Sequence, residues 1–429
     1  MDYTPRVLDL ALDELLPELA AIAIEGAKGV GKTATAERRS AAMVDLTKQS
    51  QREVISADPG VILTQPKPTL VDEWQLVPET WDRVRRAVDS SRAAGQFILT
   101  GSAWPAAKPP VHSGAGRIAR LQMRPLTIFE RRLDEPTVSI SSLLAGERPL
   151  IGGQAKTGLA GYTEEIVSSG FPGIRDLGPR ARRLQLDSYL DRAVNRDTQE
   201  NGAAVRRPGE LLAWLRSYAA ATSTTASPRA IADAATPGQT QPPSRQTASR
   251  FSAALERQFL LDPLPSWVPS MSPFSRLTMG PKHHLVDPAL VARLLGADVS
   301  SLLRGQSVRT GPTAPSLLGP LFESLAVLTV RVLAESAEAR AAHLRTRGGE
   351  HEVDLILENA DWTILAIEVK LKPVITAKDT KNLKWLANAV PERIADLAVI
   401  TTGQHAYRRE DGIAVIPLSL LGPSPISGQ

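Results

Sequence analysis

The sequence predicts an α/β protein in three parts: a parallel-sheet module over residues 1–150, a helical region over 151–308, and a second α/β unit over 309–429. Three observations carry this. In the first part the short apolar runs "AAIAIE", "REVISA", "TLVDE" and "QFILTGS" alternate with helix-like stretches, the pattern of a parallel sheet. Residues 162–300 follow mostly helical periodicity, broken by the Pro-rich turn "TPGQTQPPS". Near the end, "HEVDLILENADWTILAIEVKLK" alternates like an antiparallel hairpin, with Asn359, Ala360 and Asp361 at its turn. Two breaker-rich stretches, "GERPLIGGQAKTGLAG" (146–161) and "RTGPTAPSLLGP" (309–320), read as the joints between the parts.

Composition narrows the classes. A chain of 429 residues exceeds one core and calls for about two to four domains. With 42% hydrophobic and 22% charged residues it is ordinary for a globular protein. It has no cysteine, which excludes disulfides, zinc ribbons and thiol nucleophiles. No apolar run approaches the ~18–20 residues of a membrane span, and acids interrupt the leading apolar segment, so the expectation is a cytoplasmic protein without membrane contact. A net charge of +4 permits a nucleic-acid partner without requiring one.

The first element to justify is "IAIEGAKGVGKTATAE" (22–37), an apolar strand running into a glycine-rich turn and then a helix. Gly26, Gly31, Lys32 and Thr33 fit G-x-x-x-x-G-K-[ST]. Glycines let the backbone N–H groups of Gly26, Ala27, Lys28, Gly29, Val30, Gly31, Lys32, Thr33 and Ala34 curl around phosphates, and the helix start adds partial positive charge. Lys32 reaches the β- and γ-phosphates and Thr33 ligates Mg²⁺. The metal needs an acid on a neighbouring strand, and "TLVDEWQ" supplies Asp72, followed at once by Glu73, which is placed to polarise a water. The strand "FILTGS" ends in Thr100 and Ser102, expected near a γ-phosphate or the lytic water, with Thr100 the stronger candidate.

These motifs resemble the AAA-type ATPases. The order of "GAKGVGKT", "LVDEWQ", "LTGS", "GRIARLQMRPLTIFE", "GFPG" and "EVDLI…IEVK" resembles more narrowly the bacterial and archaeal subgroup in which such a module is fused to a C-terminal region of uncharacterised function. The resemblance implies ATP and Mg²⁺ as cofactors. It also implies an arginine beyond the sensor strand that completes a neighbouring copy's site, and hence a homo-oligomer. Arg117 of "GAGR" is the candidate, with Arg120 and Arg124 as rivals.

In the middle region, "PRAIADAATPGQTQPPSRQTASRFSAALERQFLLDPLP" reads as helix, turn, helix and apolar strand, with Ser244 an N-cap and "HHLVD" a returning strand. This resembles a winged helix, although the turn is longer than usual. If it meets DNA, Arg245, Gln246, Ser249 and Arg250 lie at the start of the recognition helix; the alternative is a protein-binding winged helix. The stretch 180–207 holds seven Arg against four acids and reads as a salt-bridged helix surface rather than a phosphate track.

In the last part, Glu368 and Lys370 stand two apart on one strand and share a face, and antiparallel pairing brings Asp354 beside them. Two carboxylates and a lysine suit metal-dependent phosphodiester hydrolysis, with Asp354, Glu368 and, from an upstream helix, Glu323 as metal ligands and Lys370 as the catalytic base or charge stabiliser. The arrangement resembles the restriction-endonuclease-like fold with its D…[DE]-x-K signature, though Val353 stands where a proline is usual.

Taken together, the expected fold class is α/β: a P-loop parallel-sheet ATPase module, a helical and winged-helix middle region, and a C-terminal restriction-endonuclease-like α/β domain. The expected activity is Mg²⁺-dependent ATP hydrolysis coupled to action on nucleic acid, DNA first. The alternative is a nucleotide-gated switch for a protein partner on an inactive nuclease-like scaffold.

Overall fold

A computed structural model describes residues 3–104, 114–197, 208–235, 242–267, 280–305 and 316–423. The chain opens with α1 (Val7–Leu15), then alternates β1 (Ala21–Glu25), α2 (Lys32–Glu37), β2 (Ala42–Asp45), α3 (Gln49–Ala57), β3 (Thr69–Asp72), α4 (Glu79–Ser90), β4 (Phe97–Gly101) and β5 (Ala119–Gln122). The five strands form one parallel sheet in the order β2-β3-β4-β1-β5. The inserted β4 therefore separates the strand before the P-loop from the strand carrying Asp72. β1 and β4 are buried along their whole length, which explains their continuous apolar sequence.

One expected strand is a helix. "REVISA" lies in α3, where Ile55 is buried and Val54 is left exposed, and the strand is the preceding "AMVD". A short apolar run of this kind does not distinguish a strand from one face of a helix.

The helical region comprises α6 (Leu159–Ser168), α7 (Pro172–Arg175), α8 (Pro179–Arg192), α9 (Pro208–Ala220), α10 (Pro228–Ala234), α11 (Arg245–Arg257), α12 (Pro288–Leu294) and α13 (Val299–Leu303), preceded by β6 (Val138–Ser139) and α5 (Ile140–Leu144). Ser244 caps α11 by accepting from the Thr247 amide at 3.1 Å. Between α11 and α12 no regular strand occurs among the described residues. Residues 260–264 bridge to 282–286 in antiparallel fashion, through pairs such as Asp262 N to His284 O at 3.0 Å. Within 180–207, Arg182 donates to Ser168 and to the Arg175 and Leu177 carbonyls; residues 198–207, like 236–241 of the Pro-rich turn, lie outside the described residues.

The last part begins with α14 (Leu318–Ser336) and continues through β7 (Arg340–Arg345), β8 (Glu352–Glu358), β9 (Ile364–Lys370), α15 (Lys381–Ala389), β10 (Ile394–Thr401), β11 (Tyr407–Arg408), β12 (Ala414–Pro417) and β13 (Leu421–Gly422). Its six-stranded mixed sheet has the order β11-β12-β10-β9-β8-β7, and the expected hairpin is β8–β9. α14 is apolar nearly all round because it is packed on several sides, against α1, α6 and α12 as well as the second sheet. A continuous apolar core thus runs from α1 and the P-loop face of the first sheet, through the helices, to one face of the second.

The glycine-rich segment 146–161 is not a free joint. The Ala155 amide donates to Gln404 O at 2.7 Å, the Ala406 amide to Gly153 O at 3.0 Å, and β6 pairs in parallel with β13. At Gly153 a close approach requires glycine: a Cβ there would lie 2.5 Å from the Thr137 hydroxyl.

Candidate functional site

The phosphate loop is shaped by backbone proximity. A Cβ on Gly26 would lie 2.1 Å from the Met123 carbonyl oxygen, so only glycine lets the loop leave β1 beside the end of β5. Gly29 and Gly31 adopt φ of 83° and 104°, the left-handed region that glycine enters without strain, and Gly31 starts α2. Lys32 is buried inside this curl, and its ammonium donates to Gly26 O at 2.9 Å and Ala27 O at 3.0 Å. Burial pushes its pKa down to about 8 against the opposing pull of Glu73 and Asp72. Lys28, Gly29 and Ala34 are exposed at the mouth, while Ala27 and Val30 are buried beneath it.

The acids and hydroxyls beside the loop form one hydrogen-bonded chain across three elements. Thr33 Oγ1 donates to Asp72 Oδ1 at 2.7 Å, and Thr100 Oγ1 donates to the same oxygen. Burial raises the Asp72 pKa, and the two hydroxyls oppose that rise. The Glu73 amide donates to Thr100 Oγ1 at 3.2 Å, and the Glu73 carboxylate accepts from Ser102 Oγ at 2.5 Å and from Gln75. Glu73 itself sits at φ 55°, ψ 49°, a left-handed conformation costing roughly 1–2 kcal/mol for a residue with a side chain. Thr100 is fully buried on Asp72, so of the two hydroxyls it is the one that positions the acids, and Ser102 is the one that touches Glu73. A hydroxyl and a carboxylate side by side suit Mg²⁺, a hard cation that keeps several waters and takes substrate phosphates as ligands.

Sequence reasoning missed several neighbours of this loop. Arg6, just before α1, is buried and joins the loop to the rest: Nη1 donates to Val30 O at 2.8 Å, Nη2 to Arg124 O at 2.6 Å, and Nε to Glu130 at 3.0 Å. A cavity of about 410 Å³ opens beside Gly31, Ala34 and Thr35, bounded by Tyr3, Pro5 and Pro172. Glu25, at the end of β1, is clasped by Arg120 at 2.6–3.0 Å, with the Trp104 ring stacked 4.1 Å from that guanidinium. The tryptophans look scattered in sequence, yet Trp74, Trp81 and Trp104 meet with ring centroids 4.6–5.6 Å apart. Among the arginine candidates, Arg124 is buried on Asp262 and Glu335 and Arg120 is held by Glu25, while Arg117 is half exposed and pairs with Asp89 at 2.8 Å.

At the C-terminal centre the expected residues come together, around a group nobody would pick from the motif. Lys282, from the segment bridging to residues 260–264, is 1% exposed, and its Nζ lies 2.8 Å from Glu323, 2.7 Å from Glu352 and 2.8 Å from Asp354. Lys370 Nζ lies 2.5 Å from Glu368 and 3.9 Å from Asp354 Oδ2, the oxygen that also accepts from the Val369 amide at 2.9 Å. Burial lowers the Lys282 pKa, but Asp354, Glu323 and Glu352 outweigh it and hold the ammonium well above the lysine range. Burial pushes Asp354 up, and Lys282 and Lys370 bring it down to about 2. Glu323 and Glu368 are pushed up to about 8, by burial first and Asp354 second. The acids expected as metal ligands, Asp354, Glu368 and Glu323, do not fit a divalent ion in this arrangement. The three carboxylates on Lys282 are spaced for an ammonium at 2.7–2.8 Å, against ~2.0–2.1 Å for Mg²⁺ and ~2.3–2.6 Å for Ca²⁺. Among the described residues no group of three or more His, Cys, Asp or Glu is arranged to hold a metal. Glu352 was findable, because it shares a face of β8 with Asp354 two residues on. Lys282 carried no local signal.

On α11, Arg245, Gln246, Ser249 and Arg250 are all exposed. His283 and His284 are buried packing groups.

Three stretches of the chain match family models. Residues 19–131 match a family model described as an AAA domain. That match supports an AAA-type ATPase. Residues 160–301 match a domain of unknown function (DUF8612) and residues 318–421 another domain of unknown function (DUF4143). Neither gives support to a winged helix, an endonuclease-like core or an action on nucleic acid. No curated protein matches the chain. No helix among the described residues is long and apolar enough to cross a membrane.

Proposed function

We propose that the chain binds ATP with Mg²⁺ at the loop 26–34 and hydrolyses it, and that the nucleotide state gates a contact made by the C-terminal half. The observation that carries the reading is the unbroken chain Thr33–Asp72–Thr100–Glu73–Ser102, which ties the phosphate loop to both acids. Lys32 exchanges its two loop carbonyls for phosphate oxygens, and Thr33 and Asp72 hold the metal. Bound Mg²⁺ supplies charge neutralisation at the phosphates. Glu73, fixed by Ser102 and Gln75, orients the attacking water, and the purine lies in the cavity beside Tyr3 and Pro172. Arg117 serves a neighbouring copy in an assembly.

The gate is favoured over a nuclease by the lysine-filled acidic centre, in which Lys370 pairs with Glu368 and Asp354. Arg245, Gln246 and Arg250 remain the proposed contacts should the partner be DNA. Turnover assays test the core of this reading. Lys32→Ala abolishes nucleotide binding, whereas Glu73→Gln keeps it and turns over roughly 10²-fold or more slowly. Arg117→Ala keeps binding and loses turnover under conditions where light scattering shows associated copies. Undiminished turnover in both Lys32→Ala and Glu73→Gln removes the assignment.

A further inference from the structure

A second cavity, of about 810 Å³, lies in the helical region among α9, α10 and α11 and shares no lining residue with the cavity beside the phosphate loop. Its size falls within the roughly 300–1,000 Å³ of small-molecule sites. Trp214 and Tyr218 of α9 form an aromatic wall, with ring centroids 5.4 Å apart, and His283 continues it edge-on, 4.8 Å from Tyr218. Ile231 of α10 and Ala248 of α11 add buried apolar surface. Such a wall suits a flat ring, because aromatic partners stack or meet edge to face at centroid spacings of ~4.5–7 Å.

Two polar atoms of the wall have no match. Trp214 is 3% exposed, and its indole Nε1–H has no hydrogen-bond partner among the described residues. His283 is 8% exposed, and its Nε2 lies 2.8 Å from Ala226 O; a carbonyl only accepts, so the ring proton sits on Nε2. Burial holds the His283 pKa below its ordinary value, which leaves Nδ1 a bare acceptor, also without a partner among the described residues. A buried donor and a buried acceptor left unmatched are exceptions in a folded chain. The charge at the exposed side is positive. Arg229 and Asp233 of α10 offset one another at 3.7 Å, whereas Arg245, the exposed first residue of α11, makes no ion pair among the described residues. The first turn of α11 adds partial positive charge beside it.

We propose that this cavity binds a small planar aromatic anion, whose ring lies on the wall of Trp214, Tyr218 and His283 and whose acidic group pairs with Arg245. A ring nitrogen or N–H at the ligand's inner edge matches the open donor or the open acceptor. An arginine fork suits a carboxylate in particular, since it can meet both oxygens at once. The site is separate from the phosphate loop, and its occupancy does not depend on nucleotide.

The test titrates naphthoate, a flat aromatic carboxylate, into the full chain by calorimetry, with naphthamide as its uncharged counterpart of the same shape. Naphthoate binds once per chain with a Kd of about 1 mM or tighter, as its ~13 non-hydrogen atoms allow. Naphthamide binds more weakly, by roughly threefold to tenfold, and Arg245→Gln weakens naphthoate by about the same factor while leaving naphthamide unchanged. Ser249, exposed on α11, also lines the cavity, and Ser249→Trp fills the space and abolishes binding of both compounds. Both substitutions fall at exposed positions, so far-UV circular dichroism of the variants matches wild type. Absence of saturable naphthoate binding overturns the proposal. So does binding that persists in Ser249→Trp, which places the compound elsewhere, or an affinity for naphthoate that Arg245→Gln does not lower.

Discussion

Replacing Arg124 with Met tests how the first sheet is joined to the rest of the chain. The guanidinium follows β5 and is 1% exposed; Nε donates to Asp262 Oδ2 at 2.7 Å, Nη1 to Glu335 Oε1 at 2.6 Å and Nη2 to Gln122 at 3.0 Å. Removing one partner of a buried pair costs roughly 3–5 kcal/mol, chiefly because the other charge is left without compensation. Two features lower that figure here. Asp262 keeps Arg331, whose Nη1 lies 3.0 Å from Oδ1, and Glu335 is about half exposed and turns to water. Met retains most of the apolar stem, so little cavity opens. The expected loss is about 2 kcal/mol, read as a shift in the midpoint of urea unfolding followed by tryptophan fluorescence. Arg124→Met and Asp262→Asn each break the same Arg124–Asp262 pair, so the double variant is less destabilised than the sum of the singles, by about 1 kcal/mol or more. A single variant within about 0.5 kcal/mol of wild type, or strictly additive losses, refutes the reasoning.

Two further outcomes follow from particular contacts. Gly26→Ala places a Cβ 2.1 Å from the Met123 carbonyl oxygen, a backbone atom that has nowhere to go, so nucleotide uptake measured by calorimetry is lost and the melting temperature falls; wild-type uptake would show the loop to be shaped otherwise. His284 is buried neutral, with its pKa lowered to about 3 by burial first and then by Lys282 and Arg331. Its depressed value means the unfolded chain binds the proton first, so stability is full above the ordinary histidine value near 6.5 and is lost as pH falls from there toward 3. At pH 4.5 this one group removes about 3 kcal/mol, with His343, lowered to about 4, adding in the same direction. His284→Gln flattens the fall in stability between pH 6.5 and 4.5, and parallel curves for variant and wild type would assign the acid sensitivity elsewhere.

Local features were readable where a few consecutive residues decide the conformation. The Ser244 cap, the β8–β9 hairpin and the glycine-shaped loop all depend on side-chain-to-backbone chemistry within three or four positions, and each appears where its residues stand. Reading failed where the same local pattern serves two structures. "REVISA" has the apolar content of a strand yet presents one buried residue on a helix, and the segment 146–161 is tied by backbone hydrogen bonds to Gln404 and Ala406 rather than left as a free joint. That α1 lies against α14 is likewise set by packing and not by any local pattern.

By itself the sequence determined the nucleotide loop and the neighbouring acids at positions 72 and 73, because phosphate recognition rests on backbone amides and on side chains one or two residues from a strand end. Only the tertiary structure decided what faces Asp354, Glu323 and Glu352. Lys282 stands 41 residues from Glu323 and 72 from Asp354 in the chain, and the charge state of a buried carboxylate is set by whichever group packing brings within 3 Å of it, a quantity no local pattern encodes.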